Sequence, residues 1–127
     1  MPFARLTLSL DLSPDEGHRL CNELTDLIAN ELGKRRELTS VLIDVPHRHQ
    51  WTIGGNDQPT AAHLEVCVTA GTNSEEEKGA FMARAMSLLR RTLPDLSPAT
   101  YIVVKENPAT DWGYDGITQA DRARFRG

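Results

Sequence analysis

The chain is short of cysteine, of basic charge and of long apolar runs, and each shortage removes a class of protein. Only Cys21 and Cys67 occur, one in a stretch with helical periodicity and one in a stretch with strand periodicity, so no disulfide framework is written here. Lysine and arginine number 14 against 18 aspartates and glutamates, for a net charge of −4. That balance argues against a general nucleic-acid binder; the cluster Lys34-Arg35-Arg36 and the late arginines Arg122, Arg124 and Arg126 are local exceptions. No apolar run is long enough to span a membrane. The opening does not read as a signal peptide, because Arg5, Ser9 and Asp11 interrupt its apolar positions. A cytoplasmic protein without membrane or nucleic-acid partners is the expectation. Metal-binding spacing is also missing: His47-x-His49 near Asp44 sits in a polar stretch without helical spacing, and His18 and His63 have no readable partners. Cys67 lacks a motif partner and reads as a small strand residue. Gly54-Gly55 is a turn and not a phosphate cradle, since no helix start follows it in the required pattern. Neither metal nor cofactor is expected.

What remains is a chain of 127 residues, 39% hydrophobic and 25% charged, which suits one domain with its own core. Leu6, Leu8, Leu10 and Leu12 alternate with polar residues, a strand with one apolar face. Ser13-Pro14-Asp15-Glu16 is a capping box with proline in the first turn. The helix it starts carries Leu20, Leu24, Leu27, Ile28 and Leu32 on one stripe and stops at Gly33. Leu38 to Val45 is a second strand, ended by Pro46. Trp51-Thr52-Ile53 leads as a short strand into the turn Gly54-Gly55-Asn56-Asp57. Leu64, Val66 and Val68 then alternate with Glu65, Cys67 and Thr69. Ser74-Glu75-Glu76-Glu77 is a second capping box, and its helix carries Phe81, Ala85, Leu88 and Leu89 before Pro94. Tyr101 to Val104 is the last full strand, and from Glu106 the chain turns irregular.

The order is βαβ twice, with the capping serines, the helix stops and the outer-strand centres Leu42 and Val103 each recurring at the same interval. Each unit has the length of a right-handed crossover between parallel strands. The expected fold class is α/β (α+β): two βαβ units forming one four-stranded, mostly parallel sheet with two helices on one face. A single domain over 1–127 divides into a block at 1–61, a block at 62–105 and a tail at 106–127. The second sheet face, bearing Arg5, Thr7, Ser9, Glu65, Cys67 and Thr69, is polar, so it is wet or meets other copies around a solvated centre. A ferredoxin-like antiparallel domain shares this element order.

The candidate for chemistry is Pro2. Initiator methionine is normally trimmed before a small residue, and trimming leaves Pro2 a secondary amine at the head of a buried strand. An ordinary α-amino group titrates near about 8, and burial lowers that value. A nitrogen neutral near pH 7 can take a proton from carbon, whereas an amide nitrogen cannot.

Pro2, the two βαβ units and the ending together resemble the tautomerase superfamily, across nearly the whole chain. One branch, the malonate semialdehyde decarboxylase-like proteins, is similar at Ser74-Glu75-Glu76-Glu77-Lys78 and at Glu106-Asn107-Pro108-Ala109-Thr110-Asp111-Trp112-Gly113-Tyr114. Another, macrophage migration inhibitory factor, is similar at Gly33-Lys34, Gly54-Gly55 and Ser97-Pro98. The resemblance implies a homotrimer whose sheets surround a channel, with Pro2 as catalytic proline and Lys34 gripping a substrate carboxylate. It further implies that Thr69 presents backbone groups to substrate and that Trp112 or Tyr114 forms an aromatic wall. The decarboxylase branch carries arginines just after the third strand, where this chain has Thr69, Gly71 and Asn73.

Physically, keto–enol tautomerisation needs a base, a group to settle the enolate charge and a wall for the side chain. Pro2 supplies the first; Lys34 or Arg35 would hold the carboxylate of a 2-oxo acid, a guanidinium doing so with two parallel bonds. The plainer reading is that Lys34-Arg35-Arg36 complements the helix end and stays solvated. Trp112 and Tyr114 read equally well as pins for the tail. Tyr101 is either a donor to substrate across a subunit interface or an ordinary core or interface tyrosine. The expected function is therefore a cofactor-independent isomerase of small 2-oxo or 2-hydroxy-enoic acids. The alternatives are a decarboxylase or hydratase of the same superfamily, and a binding module without turnover.

Overall fold

A computed structural model describes residues 1–47 and 50–125. Strand β1 (Phe3–Leu8) buries Ala4, Leu6 and Leu8 completely and leaves Phe3 and Arg5 on the opposite, open face. Helix α1 (Pro14–Leu32) starts on the Ser13 capping box, with the Glu16 N–H donating to Ser13 Oγ and the Ser13 N–H to Glu16 Oε1. It buries Leu20, Leu24, Ile28 and Leu32, one stripe at helical spacing. Gly33 ends it at φ +64°, where a side chain would be strained. A short 3₁₀ turn (Arg36–Leu38) leads into β2 (Ser40–Asp44).

The hairpin β3 (Thr52–Ile53) and β4 (Asn56–Asp57) turns on two left-handed glycines, Gly54 and Gly55. The second unit follows as β5 (Ala62–Thr69), α2 (Glu75–Thr92) and β6 (Tyr101–Asn107). The tail adds the hairpin β7 (Gly113–Tyr114) and β8 (Ile117–Thr118) and a short helix α3 (Gln119–Phe125). None of the described helices is long and apolar enough to cross a membrane.

The sheet order is β2-β1-β5-β6. Each βαβ unit pairs its strands in parallel, β1 with β2 and β5 with β6, and the units join through the antiparallel pair β1–β5. The parallel pairing inside each unit sets the fold apart from the antiparallel ferredoxin-like alternative. Both helices cover the face bearing Leu6, Leu8, Leu64, Val66 and Val68, where Phe81, Ala85 and Leu89 meet Leu24 and Ile28 in one core. The open face mixes Arg5, Glu65 and Lys105 with the exposed apolar residues Phe3, Leu42, Tyr101 and Val103.

The repeat is not quite regular. Phe3 pairs with Ser40 in the first unit and His63 with Tyr101 in the second, a register longer by one residue. The extra residue is taken up at the end of β5, which runs one residue past the counterpart of Leu8; five residues join strand to helix in both units, 9–13 and 70–74.

The α2 cap repeats that of α1: the Glu77 N–H donates to Ser74 Oγ at 3.1 Å and the Ser74 N–H to Glu77 Oε1 at 2.8 Å. That backbone donor, more than any other group, holds the Glu77 carboxyl below its ordinary range. Ser74→Ala is expected to cost about 1 kcal/mol. In a thermal melt that corresponds to a Tm lower by about 4 °C, with the end-state fold unchanged.

Candidate active site

One end of the sheet gathers the head of β1, the ends of β5 and β6, the exit of α1 and the entry of α2. Pro2 is buried there, and its carbonyl accepts the Ser40 N–H at 3.2 Å, fixing the strand's first residue against β2. On its other side β1 pairs with β5, the register beginning with Phe3 opposite Cys67.

Gly33 turns the chain out of α1 so that Lys34 leaves the helix axis toward this end. Lys34 Nζ donates to Thr72 Oγ1 at 2.8 Å, and Thr72 Oγ1 donates to the Thr69 carbonyl at 2.7 Å. Burial pushes the Lys34 ammonium below its usual lysine value, while the Glu77 and Glu106 carboxylates hold it partly up. Glu106, at the end of β6, is paired with Lys78 at 3.4 Å. Asn73 Nδ2 donates to the Leu32 carbonyl at 2.9 Å and so ties the turn before α2 to the last turn of α1.

The tail closes the remaining side. Trp112 Nε1 donates to Thr69 Oγ1 at 3.1 Å. The Gln119 N–H donates to the Trp112 carbonyl at 3.0 Å, and the Ala120 N–H to the Ala109 carbonyl at 2.9 Å. Trp112, Thr69, Thr72 and Lys34 thus form one bonded row beside the head of β1.

The other sequence candidates have their partners elsewhere in the single chain. Arg35 reaches Glu37 at 2.7 Å on an exposed surface, and Arg36 lies back along α1 on Asp26 at 2.7 Å. Tyr114 sits in the tail hairpin under the Arg122 guanidinium, 3.6 Å from ring centre, and its carbonyl accepts Arg122 Nη2 at 2.8 Å. Both partners belong to the tail, so this contact ties the hairpin to α3, whereas the Trp112 bond to Thr69 ties the tail to the sheet. Tyr101 is 70% exposed at the opposite end of the sheet, lining a cleft of about 250 Å³ with Trp51, Ile53 and His63. A larger cleft of about 450 Å³ runs between α1 and α2 on the outer surface, among charged side chains such as Glu31 and Arg84, which pair at 2.9 Å. It holds none of the candidates.

The positions where the decarboxylase branch has arginines have structural duties here. Thr69 receives Trp112, Gly71 turns at φ +80° and Asn73 braces α1. Asp44 is engaged by Arg5 at 3.3 Å; no group of His, Cys, Asp or Glu suited to a metal occurs among the described residues, and His49 and Arg126 lie outside them. Sequence reasoning missed Thr72, which no motif or spacing marked.

Gly113 follows Trp112, and a Cβ there would run into the Ile117 carbonyl. Gly113→Ala is therefore expected to open the β7–β8 hairpin and free the indole. The readout is a red-shifted Trp emission together with faster proteolysis of the tail.

No family sequence model and no curated protein sequence matches this chain. Solved structures do. Pt0534 inactivated by 2-oxo-3-pentynoate superposes with a TM-score of 0.86 at 15% identity, over 96% of this chain and 99% of that one. Native fused 4-OT superposes at 0.85 and 22% identity over the same shares. The macrophage migration inhibitory factor-like protein of Entamoeba histolytica gives 0.78 at 20% identity, over 92% of this chain and 97% of that one. With two βαβ units in one polypeptide, the chain shares the fold of these structures, fused 4-OT and a macrophage migration inhibitory factor-like protein among them.

Proposed function

We propose that this protein is a cofactor-independent keto–enol tautomerase of small 2-oxo (2-hydroxy-enoic) acids. In this reading Met1 is removed and the Pro2 nitrogen is the base. It takes a proton from C3 of the keto acid; the C–H electron pair forms the C2–C3 double bond, the carbonyl π pair moves onto the C2 oxygen, and that oxygen takes a proton from solvent to give the enol. In the reverse direction it returns the proton to C3. The Lys34 ammonium holds the substrate carboxylate and steadies the charge on the neighbouring oxygen. The Trp112 indole walls the substrate's side chain, and Thr69 offers backbone groups of the adjacent strand end.

The observation that carries the reading is the position of Lys34. Of three consecutive cations, two are drawn to carboxylates on the outer surface, and this one is turned onto Thr72 at the sheet end where Pro2 precedes β1. The thinner cation supply at that end, with Lys78 already on Glu106, favours tautomerisation over decarboxylation, which leans on cations to hold and polarise the acid. The apolar residues on the open sheet face support packing against further copies, and a fused 4-OT forms an asymmetric trimer. We take a homotrimer as the working assembly, with Tyr101 reaching a neighbouring subunit.

The test is ketonisation of phenylenolpyruvate, followed by the fall of its ultraviolet absorbance, on protein whose mass shows that Met1 is gone. A saturable rate above buffer is expected. A rate equal to buffer overturns the assignment.

A further inference from the structure

We propose that Thr72 is the positioning residue for Lys34, keeping its ammonium on a neutral partner so that its charge stays available to an incoming carboxylate. The part that concerns substrate rests on the tautomerase reading; the geometric part does not.

A threonine hydroxyl has one proton and two lone pairs. The Thr72 proton has two acceptors within reach, the Thr69 carbonyl at 2.7 Å and Asn73 Oδ1 at 3.4 Å, and the shorter bond takes it. The lone pairs of Oγ1 then face Lys34 Nζ at 2.8 Å, so the row has a fixed polarity: ammonium to hydroxyl, hydroxyl to backbone carbonyl. An ammonium carries three donors, and this bond uses one.

Two carboxylates compete for the same ammonium, Glu77 and Glu106, both of which act on it electrostatically. Each has its own partner: Glu77 accepts the Ser74 N–H at 2.8 Å and Glu106 accepts Lys78 at 3.4 Å. Without the hydroxyl, a flexible four-carbon stem would let the ammonium swing onto one of them and form an internal ion pair. A substrate carboxylate would then have to displace that pair. Gly71, left-handed at φ +80°, reverses the chain between Thr69 and Thr72, and the Thr72 hydroxyl bonds back to the Thr69 carbonyl.

Thr72→Val keeps the shape and removes the hydroxyl, while Thr72→Ser keeps the hydroxyl. For phenylenolpyruvate, Thr72→Val is expected to raise KM about 10-fold with kcat within about twofold, and Thr72→Ser to restore KM. A second readout needs no turnover: competitive acetylation of Lys34 across pH, quantified by mass spectrometry. In Thr72→Val the Lys34 titration should move up toward the ordinary lysine value, and in Thr72→Ser it should match the parent. A shifted titration with restored behaviour in Thr72→Ser sustains the positioning role even if none of the proteins turns over, in which case only the tautomerase reading falls. Identical titration curves in all three folded proteins overturn it, as does a KM that Thr72→Val leaves unchanged.

Discussion

Pro2→Ala should lower kcat/KM for enol ketonisation by about 100-fold, and a chain that keeps Met1 should lose the base contribution altogether, about 10²–10⁴-fold. The two losses differ for a chemical reason. Alanine also permits removal of Met1, so the variant still carries an amine, but one no longer held by a ring at the head of β1. Retained methionine turns the same nitrogen into an amide, which has no basic lone pair. Pro2 is buried and its carbonyl is bonded to Ser40, so the strand should tolerate alanine, and the melting temperature should move far less than the rate. The pH profile carries the same information. A base must be unprotonated, so kcat/KM should fall as pH drops through the Pro2 value. Equal rates for parent and Pro2→Ala would remove Pro2 from the mechanism.

Lys34→Met should raise KM for a 2-oxo acid about 30-fold, the scale of a lost charge-assisted hydrogen bond, and should remove the alkaline limb of the profile. In the parent that limb should lie below an ordinary lysine's, because burial disfavours the Lys34 ammonium. Stability should respond differently from activity. Lys34 titrates lower in the folded chain than in the unfolded one, so its charge opposes folding at every pH below the folded value. That opposition is relieved as pH rises from the folded value to the unfolded value near 10.4, roughly. At pH 7 Lys34→Met should therefore melt no lower than the parent. A variant that loses both Tm and activity would mean that Lys34 braces the fold rather than the substrate.

The fold was legible because its signals are local. Leu6 and Leu8 against Arg5 and Thr7, the serine caps at Ser13 and Ser74 and the stop at Gly33 all act within a turn or a strand of themselves. The parallel pairing followed from unit length alone. The site was legible only in part, because its bonds are long-range: Lys34 meets Thr72 at a separation of 38 residues, and Trp112 meets Thr69 at 43. Nothing within Lys34-Arg35-Arg36 says which cation turns inward. That is decided by the left-handed Gly33 and by Asp26 and Glu37, which take the two arginines. Trp112 and Tyr114 read alike as wall or pin in the sequence because their partners are not written beside them: Trp112 bonds Thr69 of β5, and Tyr114 carries Arg122 of α3 on its ring. The one-residue register difference between the units is likewise invisible while capping serines and outer strands keep step; it is taken up at the end of β5.

The most direct measurement is a ¹⁵N NMR titration of protein labelled at proline. The proposed chemistry expects the Pro2 nitrogen to resonate as an amine and to titrate below the ordinary α-amino range of about 7.7–8.0. An amide resonance that ignores pH in the protein purified from cells, or a midpoint at or above that range, would contradict it.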